Sequence, residues 1–271
     1  MALPVSLAAV RGLLQEIESS ARGPHVLAIG GASELAPVLR RQLLRGGAEP
    51  SALRVGEPEG ADVYVHVLAG EPGPADESQL RRARRARVPV VAVAVGPVPE
   101  RAVPYVLATD LVRVGPGEGF PLESLARVIA ARLQEDAAPL AARIPLLRAA
   151  VGDELVGTIA RKNGLAAAAV WLRGADLPLL VLDQLRLVLR LAQAHGLRDG
   201  RERLPELAAT LAAGFGLRAL ARRALAAGAA PPWVVRGAIA YAGTLALGQA
   251  ARTRFALAAR RRPAAAGPAE P

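Results

Sequence analysis

Cysteine is absent from the 271 residues, and aromatic residues make up only 3% of them. Without cysteine there is no disulfide framework, no Cys-ligated zinc, no thiol nucleophile and no iron–sulfur cluster. A reducing compartment is favoured, and extracellular disulfide scaffolds are set aside. Lysine is nearly missing too: of 34 basic residues only Lys162 is a lysine. A phosphate-binding loop elsewhere in the chain therefore has no lysine to use. Long apolar runs are also lacking. The longest strongly apolar stretch free of charge, GAIAYAGTLALGQAA at 237–251, spans 15 residues. At 1.5 Å per residue it reaches about 22 Å, short of the ~20 residues that cross a hydrocarbon core. Residues 1–20 carry Arg11, Glu16 and Glu18 among apolar residues and lack the basic n-region and charge-free core of a signal peptide, so they read as a leading helix.

What is abundant is Ala, Leu and Val, which dominate the 52% of hydrophobic positions, and arginine, which brings the formal charge to +10. At ~100–200 residues per domain the length suggests two domains. The charge divides unevenly: residues 1–138 hold 15 Arg against 16 acids, and residues 139–271 hold 19 basic residues against 8 acids. This asymmetry points the second half toward an anionic partner, lipid head groups or nucleic acid, with solvated arginine on Ala-rich helices as the plain alternative.

The first half alternates Val-rich runs with amphipathic ones. Residues 25–30, 53–56, 62–69, 88–95 and 104–108 read as strands, and 34–45, 75–87 and 122–133 fit a helical period, which predicts a small parallel α/β sandwich. The second half consists of long Ala/Leu helical stretches. The expected organisation is a leading helix at 1–23, an α/β domain at 24–138, a basic all-α helical domain at 139–258 and a disordered tail at 259–271, with the boundary near 138–145.

A strand ending in Gly30-Gly31 before a helix is where a phosphate would sit, because backbone N–H groups and the helix N-terminus face an anion there. The phosphate-loop pattern G-x-x-x-x-G-K-[ST], started at Gly30, puts Leu35, Ala36 and Pro37 where the second glycine, the lysine and the metal-binding hydroxyl belong. Gly30, Gly31 and Ser33 remain weak residual nucleotide candidates; a tight turn, with Ser33 as helix N-cap, is the preferred expectation. His25, His66 and His195 form no metal-ligand spacing, and no metal or cofactor is expected. The acidic pairs Asp76-Glu77 and Asp153-Glu154 suit helix starts. The five arginines of 81–87 spread over about 220° of a helix rather than forming one stripe, and no aromatics interleave with them, so nucleic-acid binding is the weakest expectation.

In order of elements, residues 24–136 resemble an Era-like small GTPase domain from which the chemistry is missing. Such a domain has D-x-P-G where this chain has Val55-Gly56-Glu57-Pro58-Glu59-Gly60, and N-K-x-D where it has Gly96-Pro97-Val98-Pro99. The resemblance implies a P-loop-GTPase-like fold. The missing lysine, metal ligand and guanine-specifying aspartate imply poor GTP binding, since those charged contacts offset triphosphate desolvation.

In the second half Asp183, Arg186, Arg190 and Gln193 recur at three- and four-residue spacing as one polar stripe on an otherwise apolar helix, which is buried in a bundle or lies on lipid. Asp183 pairs with Arg186 or faces a neighbouring helix. Asp176 before Leu177-Pro178 reads as an N-cap. Ala240, Thr244 and Gly248, with Gly243, form a small-residue face for close helix packing. Arg218, Arg222, Arg223, Arg236 and Arg252 are candidates for docking on anionic lipid or a partner. The fragments Gly174-Ala175-Asp176-Leu177-Pro178 with Gln184, Gly214-Phe215-Gly216-Leu217-Arg218 and Ala240-Tyr241-Ala242-Gly243-Thr244-Leu245-Ala246-Leu247-Gly248 resemble the YcjF-type GTPase-associated helical domain of unknown function, over residues 145–256. That resemblance implies a helical module attached to or encoded near Era-like GTPases, often at the inner membrane, with no established reaction; the leading expectation is a non-enzymatic bacterial scaffold, at the inner membrane or else in the cytoplasm. The alternatives are a divergent nucleotide hydrolase using the Gly30-Gly31 turn and a nucleic-acid-binding protein.

Overall fold

Five short runs build a parallel sheet whose three inner strands carry buried residues on both faces. The computed structural model describes residues 7–96, 102–115, 117–169, 177–197 and 231–261. Strands β1 (Leu27–Gly31), β2 (Leu53–Val55), β3 (Val63–Ala69), β4 (Val90–Val95) and β5 (Leu111–Val114) lie in the order β2-β1-β3-β4-β5, every neighbouring pair parallel. The last strand is a correction. Residues 104–108 hold a turn instead, with Tyr105 at φ +63°, and the chain pairs with β4 only from Leu111.

Helices α2 (Leu35–Arg45) and α3 (Pro74–Arg85) connect β1 to β2 and β3 to β4. These crossovers run in opposite directions along the sheet, so right-handed connection puts the two helices on opposite faces. Ala28, Tyr64, Leu68 and Ala92 pack under Leu80 and Ala83 of α3. The alternate residues Leu27, Ile29, Val63, Val65 and Val91 are fully buried on the other face. There α2 lies on β1 and β2, and α4 (Leu122–Leu133) lies on β4 and β5.

The chain forms two compact units, Arg22–Glu154 and Met1–Ala21 with Leu155–Pro271. Residues 139–154, helical by composition, thus belong with the sheet. Helix α5 (Ala137–Arg143) buries Ala137, Ala138 and Leu140, and Arg143 reaches back to the Glu49 carboxylate at 2.8 Å, Ser51 Oγ at 2.6 Å and the carbonyl of Pro24. Helix α6 (Arg148–Ala169) starts five residues before Asp153, so that acidic pair lies beyond the first turn, unlike Asp76 and Glu77 in the first turn of α3.

In the helical unit α1 (Leu7–Ser20) packs along α7 (Leu177–Ala194) through Leu13, Ile17, Val181, Leu185 and Leu189. The polar stripe of α7 faces inward. Arg186 reaches Glu16 at 2.9 Å, Arg190 donates to Ser20 Oγ at 2.8 Å, and Gln193 donates to the Ile17 carbonyl. Asp183 takes the second of its two expected partners, Lys162 of α6 at 3.0 Å, while Gln184 is buried. Helix α8 (Pro232–Arg261) runs antiparallel to α6: Gly237 meets the Gly164 carbonyl, Thr244 Oγ1 accepts from Asn163 Nδ2 at 3.2 Å, and Gly248 lies on Val156. Gly243 is buried as well, and Ala240 is half-buried. Gly237, Thr244 and Gly248 thus lie where the two helix backbones come close. Among the described residues no helix is long and apolar enough to cross a membrane.

Candidate functional site

In doubly wound sheets ligands bind beyond the carboxyl ends of the strands, where the order reverses. Here that point lies between β1 and β3, at Gly30-Gly31. The crevice is filled by the protein itself. Gly31 N–H donates to Gln79 Oε1 at 3.1 Å, and Ala32 N–H donates to the Val67 carbonyl at 2.8 Å. Two amides that would cradle a phosphate are thus already used. The glycines serve packing: a Cβ at Gly31, whose φ is +91°, would overlap the Val67 backbone, and one at Gly30 would overlap the Tyr64 hydroxyl. Ser33 is not the cap. Helix α2 opens at Leu35 after Glu34, with no side-chain cap bond, and Ser33 sits in the preceding turn. Leu35 and Ala36 N–H both bond to the Ala32 carbonyl, so the main chain closes the turn that leads into α2.

The segment standing where D-x-P-G would be is tied down on the outside. Arg54 donates to the carbonyls of Glu57 and Glu59, and Arg82 pairs with both carboxylates at 2.9 and 3.0 Å. Arg82 holds the Glu57 carboxyl below its ordinary value. Asp110 is buried, bonded to Thr109 and 3.6 Å from Arg132.

Under α3 lies a polar chain that the sequence did not reveal. Tyr64 Oη sits 2.8 Å from Gln79 Oε1 and 3.2 Å from His66 Nδ1, His66 Nε2 sits 2.9 Å from Asp76 Oδ1, and Asp76 Oδ2 accepts from Gly73 N–H at 2.8 Å. The only trace in the sequence is that Tyr64 and His66 interrupt a strand of apolar residues at alternate positions, on the face toward α3. Burial pushes the Tyr64 phenol up and the His66 imidazole down, and Asp76 pulls His66 part of the way back. The other histidines are structural: His25 faces Asp62 at 3.4 Å, and His195 Nδ1 lies 2.9 Å from the Leu191 carbonyl. Among the described residues no three His, Asp or Glu side chains are grouped to hold a metal.

A histidine whose folded value lies below its unfolded value is bound to its proton more tightly in the unfolded chain. Stability due to neutral His66 is thus full above the ordinary value of 6.5 and lost as pH falls toward the folded value. Urea midpoints should rise from pH 5 to pH 7 more in the native protein than in His66→Gln. An equal or smaller rise in the native protein contradicts this assignment.

Of the docking arginines, Arg236 and Arg252 lie on α8, each half-buried. Arg218, Arg222, Arg223 and Asp176 lie outside the described residues. No family model, curated protein or solved structure matches the chain.

Proposed function

We propose that this chain is a non-enzymatic bacterial scaffold, in which an α/β unit that does not grip nucleotide is joined to a basic helical unit that docks on an anionic membrane surface. Charge segregation carries this reading. Residues 22–154 hold 16 basic and 16 acidic residues, so the whole net charge of +10 resides in the helical unit. Helix α8 contributes five arginines and no acid over its 30 residues. The helical unit also leaves amphipathic and apolar side chains in solvent: Leu165 is 73% exposed, Trp233 59% and Tyr241 41%. Trp and Tyr with flanking arginine suit the head-group layer, where each basic residue near the surface is worth ~1 kcal/mol. A peripheral mode is consistent with the described helices, none of which is long and apolar enough to span.

The non-enzymatic half of the proposal rests on the Ala32 amide held by the Val67 carbonyl and on the close packing of Gly31 against the Val67 backbone, together with the missing lysine. The Era-like and YcjF-type resemblances supply the partner, an Era-like GTPase met through the α/β surface. Co-sedimentation with vesicles tests the docking: binding to anionic vesicles that weakens at high salt, with none to neutral ones, is expected, and equal negligible binding throughout removes it. Titration with GTP or ATP and magnesium separates the enzyme reading, for which low-micromolar affinity would speak.

A further inference from the structure

Counting donors along the chain beneath α3 fixes where its protons sit. Gln79 Oε1 is an acceptor facing both the Gly31 amide at 3.1 Å and the Tyr64 hydroxyl at 2.8 Å, so the one phenolic proton points at Gln79. Turning the Gln79 amide over would set its NH2 against the Gly31 N–H, donor to donor, so the main chain decides its orientation. With its proton committed, Tyr64 offers only lone pairs to His66 Nδ1. On the other side of the ring Nε2 meets Asp76 Oδ1. Both ring nitrogens face acceptors. A neutral imidazole carries a single N–H and leaves one of these contacts lone pair against lone pair.

We propose that Asp76, His66, Tyr64 and Gln79 form a proton-operated clamp on the turn after β1. With both His66 nitrogens protonated, every contact in the chain is satisfied and Gln79 is held on Gly31. When the imidazolium loses one proton to water and keeps the other as Nε2–H, the Tyr64 hydroxyl rotates to donate to Nδ1, its contact with Gln79 becomes repulsive, and Gln79 leaves the Gly31 amide. Only an N–H bond breaks, and the imidazolium becomes the neutral tautomer that keeps Nε2–H on Asp76. The Asp76 side chain, 24% exposed, connects the buried ring to water.

Few other groups bear on the ring. From α3 it is faced by Asp76, and from its own strand by Tyr64. Its register neighbours are Gly30 on β1 and Ala92 on β4, neither of which titrates. Glu59 and Arg82, whose charges reach Tyr64, neutralise each other at 3.0 Å on the outer side. The direction in which burial moves His66 places the change on the acidic side of 6.5. The clamp stands apart from membrane docking and holds whether or not the chain binds lipid.

Nitrogen NMR of the full chain reads it directly, since only His25, His66 and His195 contribute and His25→Gln and His195→Gln assign the remaining signal. The expected result is a doubly protonated His66 in acid that becomes the Nε2–H tautomer as pH rises. Gly31 amide exchange, corrected for its intrinsic pH dependence, should quicken about tenfold along the same curve, the equivalent of one hydrogen bond. Gln79→Met, which does not touch His66, should lower its midpoint by about one pH unit by freeing the Tyr64 hydroxyl. A single neutral tautomer throughout the folded range, or a midpoint indifferent to Gln79→Met, overturns the clamp.

Discussion

Gly31→Ala costs the α/β unit about 4 kcal/mol or more, a large share of the margin of an ordinary domain. Two effects combine. A left-handed backbone costs a residue with a Cβ about 1–2 kcal/mol, and Gly31 has φ +91°. The added methyl also points into the Val67 backbone, which has no flexible end to swing aside. Relief requires β1 and β3 to part where Gly31 pairs with Val67, at the centre of the sheet order. Gly30→Ala differs in degree, because its nearest obstacle is the Tyr64 hydroxyl, a side-chain end, with the Gly56 carbonyl next at 2.9 Å. Tyr64→Phe should therefore recover part of the Gly30→Ala loss and none of the Gly31→Ala loss. Denaturant midpoints of the four variants check this. A Gly31→Ala loss under about 0.5 kcal/mol, the usual scale of a surface change, would mean the turn has room for a ligand after all.

The second large effect concerns the leading helix. Leu13 and Ile17 of α1 are 6% and 2% exposed, packed on Val181, Leu185 and Leu189. Truncating a buried Leu or Ile to Ala costs about 2–5 kcal/mol, so Leu13→Ala with Ile17→Ala should cost the helical unit about 5 kcal/mol. Deleting residues 1–21 should cost more, because it also strips Glu16 and Ser20 from Arg190, whose guanidinium-bearing side chain is 5% exposed. A cation left that deep without its anion is expensive. Amide exchange along α7 is the measurement. Protection of α7 unchanged by the deletion would show that α1 is an appendage rather than a wall of the bundle.

The parallel α/β half was legible because its signals are local. Val-rich runs, helical periodicity and glycine after β1 each depend on a few adjacent residues, and four of the five expected strands stand where the pattern put them. The fifth failed for a physical reason: Pro104 and Tyr105 make a turn, and the neighbouring LVRV gains its partner only from β4, which no local pattern records. The small-residue face of α8 was legible in the same way, since a four-residue period already specifies one side of a helix.

Composition and order alone decided that the chain has no thiol chemistry, one lysine, two differently charged halves and no phosphate-loop motif at Gly30. Tertiary structure alone decided which groups meet. Gln79 lies 48 residues from the Gly31 amide it occupies, and Gln193 lies 176 residues from the Ile17 carbonyl it caps. Side-chain hydrogen bonds act over about 3 Å and carry no sequence period. So the engaged turn at Gly31, the polar chain beneath α3 and the recruitment of α1 into the distant bundle exist only once the sheet and helices have brought those residues together.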